Sequence, residues 1–490
     1  MSMLRQFVLV AVLLASCSRP TLALKSLGVD LGTSGVRATV VDGRGTVVGE
    51  AATAWTDAEG REPQTWLRAL RETLARCPGA SEATRIAVSG TSASILVVDA
   101  SGRVSRGPAM YSDSASKGIN PIERFAPAGH TTRSSTSALA KLVAWHAESP
   151  VSPTERCAHQ ADFVSAALAA GYSSREDDDV RLGEGFCVKS DWHNALKLGF
   201  DVEALRWPAW MTDELFSEIE LPPECLMRDV LEPGAPAHTV SAAAAAQWGL
   251  REGACLVGGT TDSIAAFLAC SFSDGRLRVE PGAAVTSLGS TTAVKLVSDT
   301  KVDDAARGVY SHRLGDAWLV GGASNAGTKV LRKFDFSDGE LAALSAEEDL
   351  FDDLDDLLQD DEVCYPLCDV GERFPVNDPN LAPRLPDRVD RLPAESDADY
   401  AARRHHLLRS LLVGIAHVER RGYAALADLG ATRLDSLASA GGGAKNAPWR
   451  LFRSRLLGVP VLQAPHTDAA FGAAVLALPS HGDYGESGIA

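Results

Sequence analysis

From Ser26 the chain reads SLGVDLGTSGVRATVVDGRGTVVGEA: an apolar run, a glycine-rich turn at Gly32 to Gly35, an alternating run, and a second turn at Asp42-Gly43-Arg44-Gly45. Alternation with period two, broken by Gly and Asp, predicts strand, turn, strand, turn, strand. From Ala284 the string AVTSLGSTTAVKLVS repeats the device, with Leu288-Gly289-Ser290-Thr291 standing 257 positions (288 minus 31) after Leu31-Gly32-Thr33-Ser34. Between them, Pro63 to Cys77 places Trp66, Leu67, Leu70 and Leu74 at helical spacing, and Ile86 to Asp99 returns to a strand, turn, strand pattern. The spacing further predicts an Ala-rich helix over 236–248 ending at Gly249. A long amphipathic helix is predicted from Tyr400 to Leu429, with Leu407, Leu408, Leu411, Leu412 and Ile415 on one side. Strands alternating with helices, and two similar hairpins each opening a half-chain, predict an α/β protein of two duplicated domains around a central cleft. The expected borders are 25–255 and 256–490.

Composition narrows the functions. The 490 residues are 45% hydrophobic and 23% charged, in the ordinary globular range. A formal net charge of −17 repels phosphate backbones and speaks against nucleic acid as a partner. Residues 1–24 differ from the rest: Arg5 precedes the apolar run Phe7 to Ala15, and small residues follow, the layout of a signal or targeting segment. Leu14-Ala15-Ser16-Cys17 also matches a bacterial lipoprotein box, a four-residue match that chance supplies easily. No later stretch reaches the ~20 uninterrupted apolar residues of a membrane span, so no integral-membrane segment is expected in the mature chain. The nine cysteines are scattered without the paired spacing of a zinc site. The one close pair, Cys364 and Cys368, reads as two unrelated thiols. The acidic stretch 347–361 reads as a solvated helix or loop.

Four strings carry candidate chemistry. Asp30 ends an apolar strand immediately before Gly32-Thr33-Ser34-Gly35, where glycines let backbone N–H groups approach an anion; the same string also suits a plain hairpin turn. Gly289-Ser290-Thr291-Thr292 offers a second small, hydroxyl-rich turn, and two such turns on facing domains would hold a polyphosphate between them. Gly441-Gly442-Gly443-Ala444-Lys445-Asn446 reads as strand, open turn, helix start, with bare backbone against which an adenine ring would lie, or as a tight loop. Leu256 to Ser263 runs as a strand into glycines and then Asp262 at a helix start. There it would cap the helix, accept a proton from an attacking hydroxyl, or do both, while Mg²⁺ neutralises the oxygens of ATP. Neither a Walker loop nor a Rossmann fingerprint is present.

Asp30-Leu31-Gly32-Thr33-Ser34, Gly259-Thr260-Thr261-Asp262, Ser287-Leu288-Gly289-Ser290-Thr291 and Gly441 to Asn446, in this order, resemble the signature elements of the FGGY carbohydrate kinases over about residues 26–480. The resemblance implies the actin-like, ribonuclease H-like ATPase fold. AVSGTSAS (87–94), Tyr111-Ser112-Asp113, SSTSALAKL (134–142), DWHNALKLG (191–199) and GGASN (321–325) look most like the D-ribulose kinases of cyanobacteria and plastids. It implies Asp262 as catalytic base. It also implies Asp30 as holder of Mg²⁺ through water, and Thr33, with Gly32 and Ser34, at the transferring phosphate. Gly289, Ser290 and Gly322 would stand at the phosphates from the second domain, Gly441, Gly442, Ala444 and Asn446 at the nucleoside, and Thr91, Ser92 and Asp262 at the sugar. Where xylulose kinases carry Gln-x-His-Gly this chain has Thr91-Ser92-Ala93-Ser94, which argues against D-xylulose as preferred substrate. Tyr111-Ser112-Asp113 replaces the usual Trp-Asn-Asp. His193 and Lys197 sit on a helical turn within reach of the sugar but suit a structural role, and Trp192 suits the core.

The expectation is an ATP- and Mg²⁺-dependent kinase phosphorylating the terminal hydroxyl of a ketopentose, D-ribulose before D-xylulose. The rivals are an actin-like ATP sensor and a slow ATPase with lost sugar specificity. The leader and the resemblance to plastid enzymes point to a plastid, with the cytoplasm next.

Overall fold

The computed structural model describes residues 24–174, 180–345, 348–351 and 364–479. The leader up to residue 23 and most of the acidic stretch 347–361 lie outside the described residues. The first hairpin forms as the alternation predicts: β1 (Lys25–Gly32), β2 (Gly35–Asp42) and β3 (Val47–Ala54) run antiparallel. Helix α1 (Pro63–Arg76) starts with proline in its first turn, where a missing N–H is harmless, and buries Trp66, Leu67, Leu70 and Leu74 against β2 and β3. Strand β4 (Arg85–Gly90) lies parallel to β1.

The chain then leaves this sheet. β5 (Ile95–Val98), β6 (Val104–Ala109) and β7 (Arg156–His159) make a separate three-stranded sheet. Helices α2 (Ala138–Glu148) and α3 (Gln160–Ala170) belong to the same part of the chain. The expected helix over 236–248 is shorter: Pro236–Thr239 is strand β8, and only Ala242–Trp248 (α4) is helical, capped by the Ser241 side chain and closed at left-handed Gly249. Strand β9 (Cys255–Val257) pairs with β8 and lies parallel to β4. Strand β10 (Thr260–Thr261) also pairs with β4, so the N-terminal sheet continues to Thr261, beyond the expected border at 255. Its order is β8-β9-β4-β1-β2-β3.

Helix α5 (Asp262–Cys270) leads into the second half. There β11 (Ala283–Leu288) and β12 (Thr292–Ser298) form the repeated hairpin, joined by β13 (Tyr310–Leu314) and β14 (Ala317–Ser324). Helix α6 (Asp397–Asp428) buries Leu407, Leu408, Leu411, Leu412 and Ile415 as expected. Strand β15 (Ser436–Ala440), helix α7 (Ala447–Leu457) and strand β16 (Val461–Gln463) follow, giving a sheet of order β13-β14-β12-β11-β15-β16. The two sheets share one plan: a hairpin, a third antiparallel strand beside its second arm, and parallel strands beside its first.

The last helix, α8 (Ala469–Leu476), returns to the first lobe and lies against β1 and α5. Gly28 makes this approach possible, because a Cβ there would stand 2.0 Å from the carbonyl oxygen of Ala470. Each lobe keeps its own apolar core. In the second, the fully buried Arg453 of α7 makes two bonds of 2.6 Å to Glu419 of α6 and donates to Ser439 of β15, so the elements around the last glycine turn are fixed by a satisfied charge pair. No helix among the described residues is long and apolar enough to cross a membrane.

Candidate active site

Register alone brings the two candidate carboxylates together. Ser89 of β4 stands opposite Asp30 of β1 on one side and Thr260 of β10 on the other. Asp30 and Thr260 are thus two strand spacings apart, roughly 10 Å, and Asp262 follows two residues later as the first residue of α5. All three strands are parallel, so both carboxylates emerge at their carboxyl ends. Asp30 is buried; Oδ1 accepts from Ser89 Oγ at 2.8 Å and Oδ2 from the Arg37 guanidinium at 3.3 Å. Burial, with the negative charges of Asp262 and Asp468 adding to it against the Ser89 bond and Arg37, pushes Asp30 up to about 6. Asp262 is half-buried and its Oδ1 accepts from the Ser263 N–H at 2.6 Å. Burial raises its pKa too, against that bond and the positive charges of Lys295 and Lys197. A carboxylate held above its ordinary range, at a helix start and between two ammonium groups, is equipped to take a proton.

The glycine turns close the two hairpins and follow β15. Thr33 and Ser34 are exposed at the tip of the first hairpin, and their carbonyls accept from the side chain and backbone of Trp55. Gly289, Ser290 and Thr291 form the tip of the second. The Gly289 carbonyl accepts from both the backbone N–H (2.8 Å) and the hydroxyl (2.7 Å) of Thr328, which fixes the turn from behind. Gly441 follows β15 at φ +82°, and a Cβ there would stand 2.5 Å from the Leu288 carbonyl, so this turn lies directly on the second hairpin.

Three of the expected nucleotide contacts also pack or cap. Gly322 lies within β14 beneath the Phe374 ring, where a Cβ would stand 2.3 Å from Cδ2, and so packs the sheet rather than lining the lip. Ala444 is buried, leaving Gly441 and Gly442 as the exposed backbone of their turn. Asn446 caps α7 through Oδ1 and donates through Nδ2 to Ser345, so its side chain is already committed.

On the sugar side, Thr91 is buried. Its N–H and hydroxyl both donate to Gln160 Oε1, and its Oγ stands 2.6 Å from that of Ser94; Ser92 is half-exposed. Asp113 is held below the usual carboxylate range, first of all by its bidentate bonds to Arg61, and accepts from the Met110 N–H, a turn-closing role. His193 is buried: Nε2 faces the Arg313 carbonyl at 2.6 Å and must donate, so Nδ1 accepts from Thr260 Oγ at 2.7 Å. This joins the N-terminal sheet to β13. Trp192 is in the core, as expected. Sequence reasoning missed Ser89, Arg37 and Lys295; Lys295 is one polar letter in an alternating strand, and nothing local marks it as a neighbour of Asp262.

Residues 284–480 match the FGGY family of carbohydrate kinases, C-terminal domain. The match lies wholly in the second half of the chain. Over 93% of this chain and 90% of the other, the structure is similar to a xylulose kinase from Brucella ovis at 24% identity and a TM-score of 0.65. A xylulose kinase from Bifidobacterium adolescentis matches 94% of this chain and 93% of its own at 21% identity and a TM-score of 0.68. A Plasmodium falciparum glycerol kinase with ADP matches 93% and 89% at 14% identity and a TM-score of 0.67. At these identities the likeness carries the fold, and it extends over both lobes: the chain has the actin-like ATPase architecture of the FGGY kinases.

Proposed function

We propose that this FGGY-fold chain transfers the γ-phosphoryl group of ATP to the terminal hydroxyl of a ketopentose, D-ribulose in preference to D-xylulose. The observation that supports the reading is the pair Asp30 and Asp262 at the carboxyl ends of strands that share β4, with Ser89 opposite both Asp30 and Thr260. Asp262 takes the proton of the sugar hydroxyl. Lys197 and Lys295 beside it favour its ionised form before the sugar arrives. The exposed turns at Thr33-Ser34 and Gly289-Ser290 hold the phosphates, and the bare backbone of Gly441 and Gly442 the nucleoside.

Among the described residues no three acidic, histidine or cysteine side chains gather as a metal site. Asp30, already bonded to Ser89 and Arg37, fits a metal that arrives with the nucleotide and is held through water. Bound Mg²⁺ would offset phosphate charge. Preference for ribulose rests on the loop 91–94, where the hydroxyls of Thr91 and Ser94 face each other and leave Ser92 as the group free to meet the sugar.

The test is ADP release by the full chain with ATP, Mg²⁺ and a panel of sugars, D-ribulose giving the largest kcat/KM. Stimulation by no ketopentose refutes the substrate class, and undiminished basal turnover would then favour the sensor or ATPase readings. Asp262→Asn should lower sugar-stimulated turnover by about 10²–10⁴-fold at unchanged Tm.

A further inference from the structure

Helix α2 reads ALAKLVAWHAE, and its single lysine is buried among the apolar residues of the N-terminal core. Burying an ammonium is expensive even with the charge of Asp113 nearby, and needs every available acceptor. Lys141 has two: Nζ donates to the carbonyl of Ala93 at 2.8 Å and to that of Met110 at 2.7 Å. Burial lowers its pKa to about 8.

The first acceptor belongs to the loop assigned to the sugar, and the second to the turn next to it. Ala93 lies in the middle of Thr91 to Ser94 at φ +69°, a left-handed conformation that a residue with a Cβ adopts only when its surroundings impose it. Met110 opens the string Tyr111-Ser112-Asp113, and the Tyr111 N–H donates to Ser94 Oγ at 2.9 Å. Gln160 holds Thr91 from the other end of the first loop. One ammonium therefore fastens the two segments that flank the β5–β6 hairpin, set side by side by the pairing of Ile95 with Ala109, beneath the surface that Ser92 presents.

We propose that Lys141 is the positioning residue of the sugar site: its two bonds keep loops 91–94 and 110–113 as one preformed surface, with Ala93 held left-handed so that Ser92 stands in a fixed place beside the crevice. The inference rests on the sugar reading of these loops. Methionine has the stem of lysine without its donors, so Lys141→Met leaves the Ala93 carbonyl unsatisfied, takes one of two donors from the Met110 carbonyl, which keeps the Asp113 N–H at 2.9 Å, and frees Ala93 to relax.

The experiment measures KM for D-ribulose and for ATP, and amide hydrogen exchange without ligands, in the full chain and in Lys141→Met. Expected are a rise of about tenfold or more in the sugar KM, an ATP KM within about twofold, and faster exchange confined to 91–94 and 110–113, with 286–291 and 441–446 unchanged. A merely structural lysine would raise both KM values together or speed exchange throughout; either result, or unchanged exchange at the two loops, overturns the proposal. Should Lys141→Met not fold, Ser94→Ala cuts the bond between the same loops more gently. A sugar KM rise of roughly threefold then supports the proposal, and an unchanged sugar KM overturns it. If the unmodified chain shows no sugar-stimulated turnover, the kinase reading fails by itself, and the exchange pattern still decides whether Lys141 fastens the loops.

Discussion

The two hairpins differ in chemistry where they agree in architecture. Asp30 of the first corresponds to Ser287 of the second, and their parallel-strand partners are Ser89 and Ala440. Gly90 and Gly441 then follow these partners, so the segments 91–94 and 441–446, proposed for the sugar and the nucleoside, leave the two sheets from equivalent positions. Each lip thus received the same strand ends, and only one carries an acid. The first lobe buries that acid against Ser89 and draws Asp262 beside it. The second leaves Ser287 exposed, and around its turn it buries a neutralised pair, Arg453 with Glu419. The first lobe thus buries a carboxylate paired only with the half-exposed Arg37, whereas the second buries both partners of its pair.

Making the first lip resemble the second is the sharpest way to break this contrast. If the proposed function holds, Asp30→Ser should lower kcat by about 10²-fold or more, because the proposal sets this carboxylate beside the transferring phosphate and its charge has no substitute. Stability should move the other way. Asp30 titrates near 6 in the folded chain against an ordinary 3.8, so its protonated form favours folding at low pH and that contribution is lost as pH rises through 6. At pH 7.5 the variant should melt at the same temperature or higher, and the difference should shrink as pH falls from 6 toward 4. A variant both less active and clearly less stable at pH 7.5 would make Asp30 a packing residue.

The second lip is tested through its backbone. Gly441→Ala forces a Cβ against the Leu288 carbonyl at φ +82°, which should cost about 2 kcal/mol and tilt the turn away from the hairpin. The KM for ATP should then rise about tenfold, the scale of 1.4 kcal/mol, while that for the sugar stays put. Equal changes in both constants would mean that the two lips are not separate binding surfaces.

What the sequence disclosed follows from the range of the forces involved. Both hairpins, the helix over 63–76 and the long helix near 400–428 rest on alternation or helical spacing within a dozen residues, and all were legible. Pro236–Thr239 was not: its Ala-rich continuation reads as helix, and its strand character comes from pairing with Cys255–Val257, which no local pattern carries. Asp30 and Asp262 were legible as motif residues because glycines surround them. Arg37 and Lys295 stand near those motifs in space while their own neighbours in sequence are plain strand, and Ser89 and Lys141 fall inside strings that carried the resemblance without any local sign of what they would bond. Ala444, Asn446 and Gly322 show the converse, since motif membership did not tell which atoms were already used for packing or capping.

The smallest expected effect concerns the contact that ties one lobe to the other. His193 bridges Thr260 and the Arg313 carbonyl, and burial pulls its pKa down to about 4. Unfolded, it would take a proton near 6.5; folded, it stays neutral until about 4. The unfolded chain therefore binds more protons between these values, and the stability that neutral His193 contributes is full above 6.5 and lost as pH falls toward 4. Glutamine offers one donor and one acceptor at similar reach and does not titrate. His193→Gln should match the unmodified chain at pH 7.5 and lose less stability on acidification, a gain of about 1 kcal/mol at pH 5.5 read from urea unfolding at the two pH values. His312, packed edge-on to His193 and also pushed well below its ordinary pKa by burial, keeps its own share of the acid sensitivity, so the slope should fall without vanishing. An unchanged slope would mean that His193 opens to water and takes its proton without disturbing the joint between the lobes.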